Sequence, residues 1–467
     1  MPIGNFSYYQ KTNAALGLTA MLSMLALSLY FAFERVLNTD NSNFFFLLIN
    51  NESINVAENR FSVYVPQFPT WLAIKLKVSL NALVYIFSAS YTTLYLLIFC
   101  LICFIYKLPQ IALALVLALL LGVNQSFYHP VTETHQAIAY ALLFYAGLKS
   151  NFKMPLFVLV QTIVFLLAIF SHPVAVFLLA FSWLWHMVET NNFKKLSHWA
   201  GIVVLGIFSV LRSKLNQNNY DAEQYQNMYK ATANIDQIFN FNSVRFLLER
   251  PNLYLLPLLL LLFVTALFLF YKKWIAAMVT FAAPIALTLI AILTFYEGNS
   301  QMMMEKAFMP SFAMLAICGS SIPFSSQIFK GIYLAFLAVC IATALIGINT
   351  AGHKDFRSRL NKLNTFIYQV KHSNTQKYLC RLDDTPDILK INWWATSADV
   401  LILSSVKHNK PITLYLYAPN EDIMYANQPD AFLYVNWWRN WQTSNLNTNY
   451  FTLPNKPYKT INLNTYE

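Results

Sequence analysis

A chain of 467 residues that is 57% hydrophobic and only 11% charged does not read as a soluble globular protein, because soluble domains carry about a quarter charged residues. The formal net charge is +11, but no basic run is long enough to make a nucleic-acid patch. Excess Lys therefore reads as membrane topology, and nucleic acid is not an expected partner.

The expected fold class is an all-α polytopic membrane bundle of about 11 transmembrane helices, with a small C-terminal extracytoplasmic α/β domain. The bundle is placed at residues 1–349 and the mixed α/β domain at 350–467. Apolar runs predict helices over Ala14–Phe33, Leu83–Tyr106, Ile111–Phe127, Ala137–Leu148, Leu156–Phe170 and Val174–Met187. Five more follow over Ala200–Leu211, Leu253–Tyr271, Ile275–Phe295, Phe308–Ile322 and Ile332–Ile348. Several fall short of the roughly 20 residues a span needs, so they borrow flanking residues or are buried by neighbours. Lys11 before a long apolar run without a small-residue cleavage site reads as a retained signal anchor.

Charge placement sets the expected orientation. With the N-terminus in the cytoplasm, the inside turns hold Lys107, Lys149 with Lys153, Lys194 with Lys195, Lys272 with Lys273, and Lys330. The outside connections collect the acids Asp40, Glu52, Glu58, Glu133, Asp221, Glu223, Asp236, Glu249, Glu297 and Glu305, and only Glu189 falls inside. This is the positive-inside pattern. It predicts a multi-pass plasma (inner) membrane protein with its chemistry and its C-terminal domain outside. Of the five cysteines, Cys100, Cys103, Cys318 and Cys340 lie in apolar segments and Cys380 in the polar tail, so no disulfide framework or redox motif is implied.

After Ile348 the chain turns polar. Phe356, Leu360, Leu363, Ile367 and Val370 fall at helical spacing. Asp387–Asp399 reads as a second helix, and Val400–Leu403, Ile412–Tyr417 and Phe432–Val435 read as short strands. Trp393, Trp394, Trp437, Trp438 and Trp441 suit core packing or the stacking of sugar rings.

The stretch Glu34–Asn81 is the longest outer loop with ionisable groups close to the membrane. Asp40 follows the first helix by a few residues, in Asn38-Thr-Asp-Asn-Ser-Asn. It reads either as a general base held at the membrane surface or as a cap for a helix at Phe44–Ile49 lying flat in the interface. Tyr128-His-Pro-Val-Thr-Glu-Thr-His gathers His129, Glu133 and His135, and His172-Pro173 joins them by topology. This group reads as a phosphate or substrate site, as a zinc site of unusual spacing, or as helix caps. Lys306 beside Glu305 reads as a phosphate-binding point charge or a salt-bridged helix terminus. Arg60 is the other candidate phosphate ligand, with Tyr64 and Trp71 as interface anchors. Arg35, Arg245 and Arg250 read as weaker candidates that contact head groups.

A polytopic chain with a long first outer loop and an acid just after the first helix resembles the GT-C glycosyltransferases. The resemblance is architectural and covers the membrane part. It implies that Asp40 is catalytic and that a late outer loop offers a cation, here Lys306, to a lipid-linked phosphate. It also implies a polyprenyl-phosphate sugar donor, a lipid or glycan acceptor, and contact with membrane lipids. The residues two positions either side of Asp40 are Asn38 and Ser42 rather than acids. No cofactor is assigned, and a divalent metal ion is left open. The expected activity is sugar transfer at the outer face. Alternatives are a polysaccharide polymerase or ligase of the envelope, a non-enzymatic transporter or flippase of lipid-linked sugars, and a membrane anchor for the outer domain.

Overall fold

A computed structural model describes residues 6–150, 155–215, 218–298, 300–419, 421, 423–434 and 441–465. Lys153, Val435, Trp437 and Trp438 lie outside the described residues. The chain is mostly helical, and a helix stands at each of the eleven apolar runs. Among the described residues five helices are long and apolar enough to cross a membrane, and four apolar helices are shorter.

The first helix, α1 (Tyr8–Tyr30), opens on a reciprocal cap in which Ser7 and Gln10 satisfy each other's backbone N–H groups, the S-x-x-Q signature of a helix start. The predicted loop Glu34–Asn81 is instead three helices, α2 (Ala32–Val36), α3 (Thr39–Asn51) and α4 (Tyr64–Lys75). The expectation that Phe44–Ile49 lies in the interface is corrected. Six consecutive apolar residues leave a helix no polar side to turn to water. Phe45, Phe46, Leu48 and Ile49 are fully buried, with Phe45 on Phe87 and Phe46 on Tyr434 of the tail. It is α4 that carries an exposed apolar row, Tyr64, Phe68 and Leu72 at four-residue spacing, continued by Leu76 just past its end, as an interfacial helix does.

Next come α5 (Leu80–Cys100), α6 (Pro109–Leu120) and α7 (Glu133–Lys149). α6 is short but buried on every side from Ile111 to Leu120, and α7 is buried from Thr134 to Ala146. A helix apolar all round is stable only with neighbours all round, so these two form the middle of the bundle. Around them stand α8 (Pro155–Ile169), α9 (Ala175–Thr190) and α10 (Leu196–Leu215). α11 (Asn219–Ala233) and α12 (Asn242–Glu249) form a polar excursion before α13 (Pro251–Phe270), α14 (Trp274–Thr294), α15 (Gln301–Gly319) and α16 (Gln327–Gly347). Both α6 and α13 begin at Pro, where a missing N–H costs nothing.

No linker separates bundle from tail. α16 passes through a wide turn at Ile348–Gly352 straight into α17 (Lys354–Val370), so the boundary at 349/350 falls inside a continuous helical rod. α17 buries Leu360, Leu363, Phe366, Ile367 and Val370, the predicted stripe with Phe366 added and Phe356 only half-buried. Then follow β1 (Lys377–Arg381), α18 (Asp387–Lys390), α19 (Thr396–His408), β2 (Thr413–Tyr417), β3 (Ala431–Phe432), β4 (Trp441–Gln442) and β5 (Lys459–Thr460). The three-stranded sheet runs β2-β1-β5, all parallel, with Lys377 opposite Thr413 and Tyr378 opposite Lys459. β3 and β4 pair antiparallel.

Two tail expectations are corrected. The helix expected over Asp387–Asp399 breaks at Asn392, which is left-handed at φ 60°. Val400–Leu403 lies in α19 rather than in a strand. A short apolar run buried on all sides has no period to separate strand from helix, and these four residues are fully buried. Trp393, Trp394 and Trp441 are half-buried and packed against the hydrophobic clusters of the tail.

The tail is bolted onto the segment that carries Asp40. Arg357 pairs with Glu34 at 2.8 Å. Arg359 pairs with Asp399 and donates to the Leu37 carbonyl. Asn447 donates to the Ile49 carbonyl at 2.9 Å and to Glu52 at 3.1 Å. Arg35 does not reach head groups. It is buried, donating to Ser88 and to the Phe127 carbonyl, with its guanidinium 4.2 Å above the Phe127 ring.

Candidate functional site

Asp40 sits in the first turn of α3, but Asn38 holds the N-cap position, so the capping reading of Asp40 fails. The residue between them is strained. Thr39 has φ 45°, a left-handed conformation that a β-branched side chain resists at a cost of about 1–3 kcal/mol. A ring of hydrogen bonds holds it there. Asn38 and Asn41 both donate to the Tyr128 carbonyl, at 3.2 and 2.9 Å, Thr39 donates to the Asn38 side chain, and Ser42 donates to the Thr39 carbonyl. The Asp40 turn is thereby fastened to the residue before His129.

His129 Nε2 lies 3.2 Å from the Asp40 carboxylate. Burial and the Lys306 charge push the imidazole below its ordinary value, against the pull of Asp40, so His129 is neutral at pH 7. A carboxylate can only accept, so the proton sits on Nε2, and the buried Nδ1 has no hydrogen-bond partner. Burial pushes Asp40 up. The His129 hydrogen bond and the charges of Lys306 and Arg60 outweigh it and hold the carboxyl below its ordinary value. The Asp40 side chain is 52% exposed, against 4% for His129, and the exposed part opens into a cavity of about 450 Å³.

The cavity brings together six of the seven predicted site residues: Asp40, Arg60, His129, Glu133, His172 and Lys306. His135 does not line it. It stacks on Tyr95, ring centroids 6.4 Å apart, and burial pushes it down to about 3. His172 lines the wall while its Nδ1 accepts the Val174 N–H at 3.2 Å, in the turn just before α9.

The two predicted cations differ. Arg60 is engaged by Glu133 at 3.0 Å and by Asp221 of α11 at 3.1 Å. Glu133 opens α7, where a carboxylate also meets the positive end of the helix. Burial opposes the charge on Arg60, but the two carboxylates raise it above its ordinary value. Lys306 has no ion-pair partner within 4 Å among the described residues. Burial lowers it, and Asp40 and Glu133 only partly restore it. Lys306 is therefore the cation available to an incoming anion.

Glu305 is not the salt-bridge partner of Lys306. It is fully buried and accepts the backbone N–H groups of Asn124, Gln125 and Ser126 at 2.9, 3.2 and 2.7 Å, plus the Gln301 amide at 2.7 Å. It ties the helix of Lys306 to the turn that leads into His129. That turn is reached through Gly122 at φ 71°, where an added Cβ would fall 2.7 Å from Phe312. Glu305→Gln sets an NH₂ against two or more of these donors. It should cost about 2–3 kcal/mol, read as a lower thermal midpoint in detergent, with Glu305→Asp less affected.

Sequence reasoning missed Tyr220 and Asp221 as site residues. Asp221 lies 161 positions from Arg60, and no local pattern joins them. Glu58, Thr132, Thr134, Gln224 and Thr294 add polar groups to the lining, and an apolar part comes from Leu287, Ile290 and Ala291 on α14, Ala307 and Pro310 on α15, and Phe177 on α9. The cavity thus combines charged groups with an apolar stretch of wall, a lining that suits an amphiphile with an anionic group. Among the described residues no three His, Cys, Asp or Glu side chains converge as a metal site requires, and no ligand set is assigned. Neither a family model, nor a curated protein, nor a solved structure matches the chain.

Proposed function

We propose that the chain is an integral membrane glycosyltransferase of GT-C type. It moves a sugar from a polyprenyl-phosphate donor to a lipid or glycan acceptor at the outer face of the plasma membrane. The N-terminus is cytoplasmic, and the tail from residue 350 is an extracytoplasmic domain. The observation that carries the reading is one cavity holding an accessible carboxylate, Asp40, hydrogen-bonded to a buried histidine, with an unpaired lysine and a partly apolar wall.

Asp40 accepts the proton of the acceptor hydroxyl as its oxygen attacks the anomeric carbon. The bond to the phosphate oxygen breaks, and the lipid phosphate leaves as an anion beside Lys306. A phosphate leaving group needs little protonation, so one base and one cation suffice. The isoprenoid chain lies along the α14 and α15 wall, and His129 orients Asp40 through Nε2.

Two measurements test this. Purified protein supplied with a panel of polyprenyl-phosphate sugars should transfer or release sugar. Labelling of a cysteine placed near Asp40 in intact cells should come from the outside, and cytosolic labelling would end the proposal. The pH profile is a further expectation. Asp40 is held below the ordinary aspartate value of about 3.9, so kcat/KM should be flat through neutral pH and fall only below that value. In His129→Ala burial remains and the strongest opposing influence is lost, so the acid limb should move to higher pH. An unmoved limb would remove His129 from the site.

A further inference from the structure

A second cavity, of about 540 Å³, lies at the other end of the bundle. Lys306 is in the second turn of α15, while Gly319, at its last residue, lines the second cavity. Thirteen residues of helix separate them by about 20 Å. Its walls come from α1, α6, α15 and α16.

The lining is electrically one-sided. Among the described residues it contains Lys330 and no Asp or Glu. Lys330 has no ion-pair partner within 4 Å among the described residues, and its ammonium lies 5.7 Å from the Tyr9 ring centre. Amide groups of Gln10, Asn13 and Gln110 share the lining. Asn13 is 1% exposed, and the Tyr9 hydroxyl on its own helix stands near its Nδ2, outside good hydrogen-bond geometry. The amide NH₂ carries two donors, and a buried donor left open is costly, so this group has room for an acceptor. The remaining wall is apolar, with Leu113, Leu117 and Leu337. The neighbouring surface of α16 exposes Ile328, Ile332, Val339 and Ile346, as a helix facing lipid does.

We propose that this cavity binds one anionic phospholipid, with its phosphodiester at Lys330 and the amide donors and an acyl chain against Leu113, Leu117 and Leu337. A free phosphate would satisfy the lysine but leave the apolar wall bare. A lipid without net charge would leave the lysine uncompensated. The site is separate from the Asp40 cavity and does not depend on the transferase reading.

The test uses the full chain, delipidated in detergent and titrated with phosphatidylglycerol, phosphatidylcholine or inorganic phosphate, with bound lipid counted by native mass spectrometry. One phosphatidylglycerol should be retained in preference to phosphatidylcholine. Lys330→Gln should weaken retention roughly five- to tenfold, while Lys273→Gln, at an exposed lysine away from the cavity, should leave it unchanged. Gln110→Leu, which keeps the charge and removes a donor, should weaken it less. Equal loss in both lysine variants would mean a non-specific annulus and overturn the proposal. So would equal retention of the two lipids, or complete displacement of phosphatidylglycerol by millimolar inorganic phosphate.

Discussion

Asp40→Asn should lower sugar transfer by roughly 10²- to 10⁴-fold, the usual contribution of a positioned general base, with little change in the thermal midpoint. Asparagine fills the same space, and its carbonyl oxygen can still accept from His129 Nε2, now 3.2 Å from the carboxylate. What it cannot do is take a proton. Donor binding should survive, because the groups proposed to hold the donor, Lys306 and the apolar wall, are unchanged. The expected signature is therefore a loss in kcat with KM for the donor nearly unchanged. Lys306→Gln should instead raise the donor KM. Full activity in Asp40→Asn would remove the carboxylate from the mechanism, even if the cavity still binds the donor.

The second large effect lies in the tail. Arg359→Ala should destabilise the protein by about 3–5 kcal/mol, the cost of leaving a buried charge without its partner. Asp399 is 0% exposed, and Arg359 is 2.5 Å from it with a side chain 4% exposed. Burial pushes Asp399 above its ordinary value, and Arg359 pulls it back only in part. The same guanidinium donates to Thr396 and to the Leu37 carbonyl, three residues before Asp40. Loss of Arg359 should therefore lower both the thermal midpoint and kcat. Arg359→Met combined with Asp399→Leu removes both charges and should recover most of the stability. It should not recover kcat, because Leu37 still loses its anchor. Full recovery of kcat in the double variant would show that the tail supports the fold and not the Asp40 turn.

The tail thus supports more than itself. Arg357 on Glu34, Arg359 on Leu37 and Asn447 on Ile49 grip three points along α2 and α3. From the other side, Glu305 grips the turn before His129. The strained Thr39 persists because both sides are held, and loosening either should let the Asp40 turn relax.

The sequence by itself determined the apolar helices and the candidate acids and cations. Runs of apolar residues need no partner to be recognised, because their demand to leave water is local and additive along the chain. It also pointed to Asp40, His129, Glu133, His172, Arg60 and Lys306 before any contact between them was known. Tertiary structure alone decided what each of these meets. Arg60 and Lys306 look alike as cations, but only the former meets two carboxylates, one of them from a helix 161 positions away. His129 and His135 are six residues apart at most in any local reading, yet one faces the cavity and the other packs on Tyr95. Phe44–Ile49 and Val400–Leu403 are apolar runs whose placement depends on what covers them. Pairing and burial are properties of distant segments brought together, and no short stretch of chain carries them.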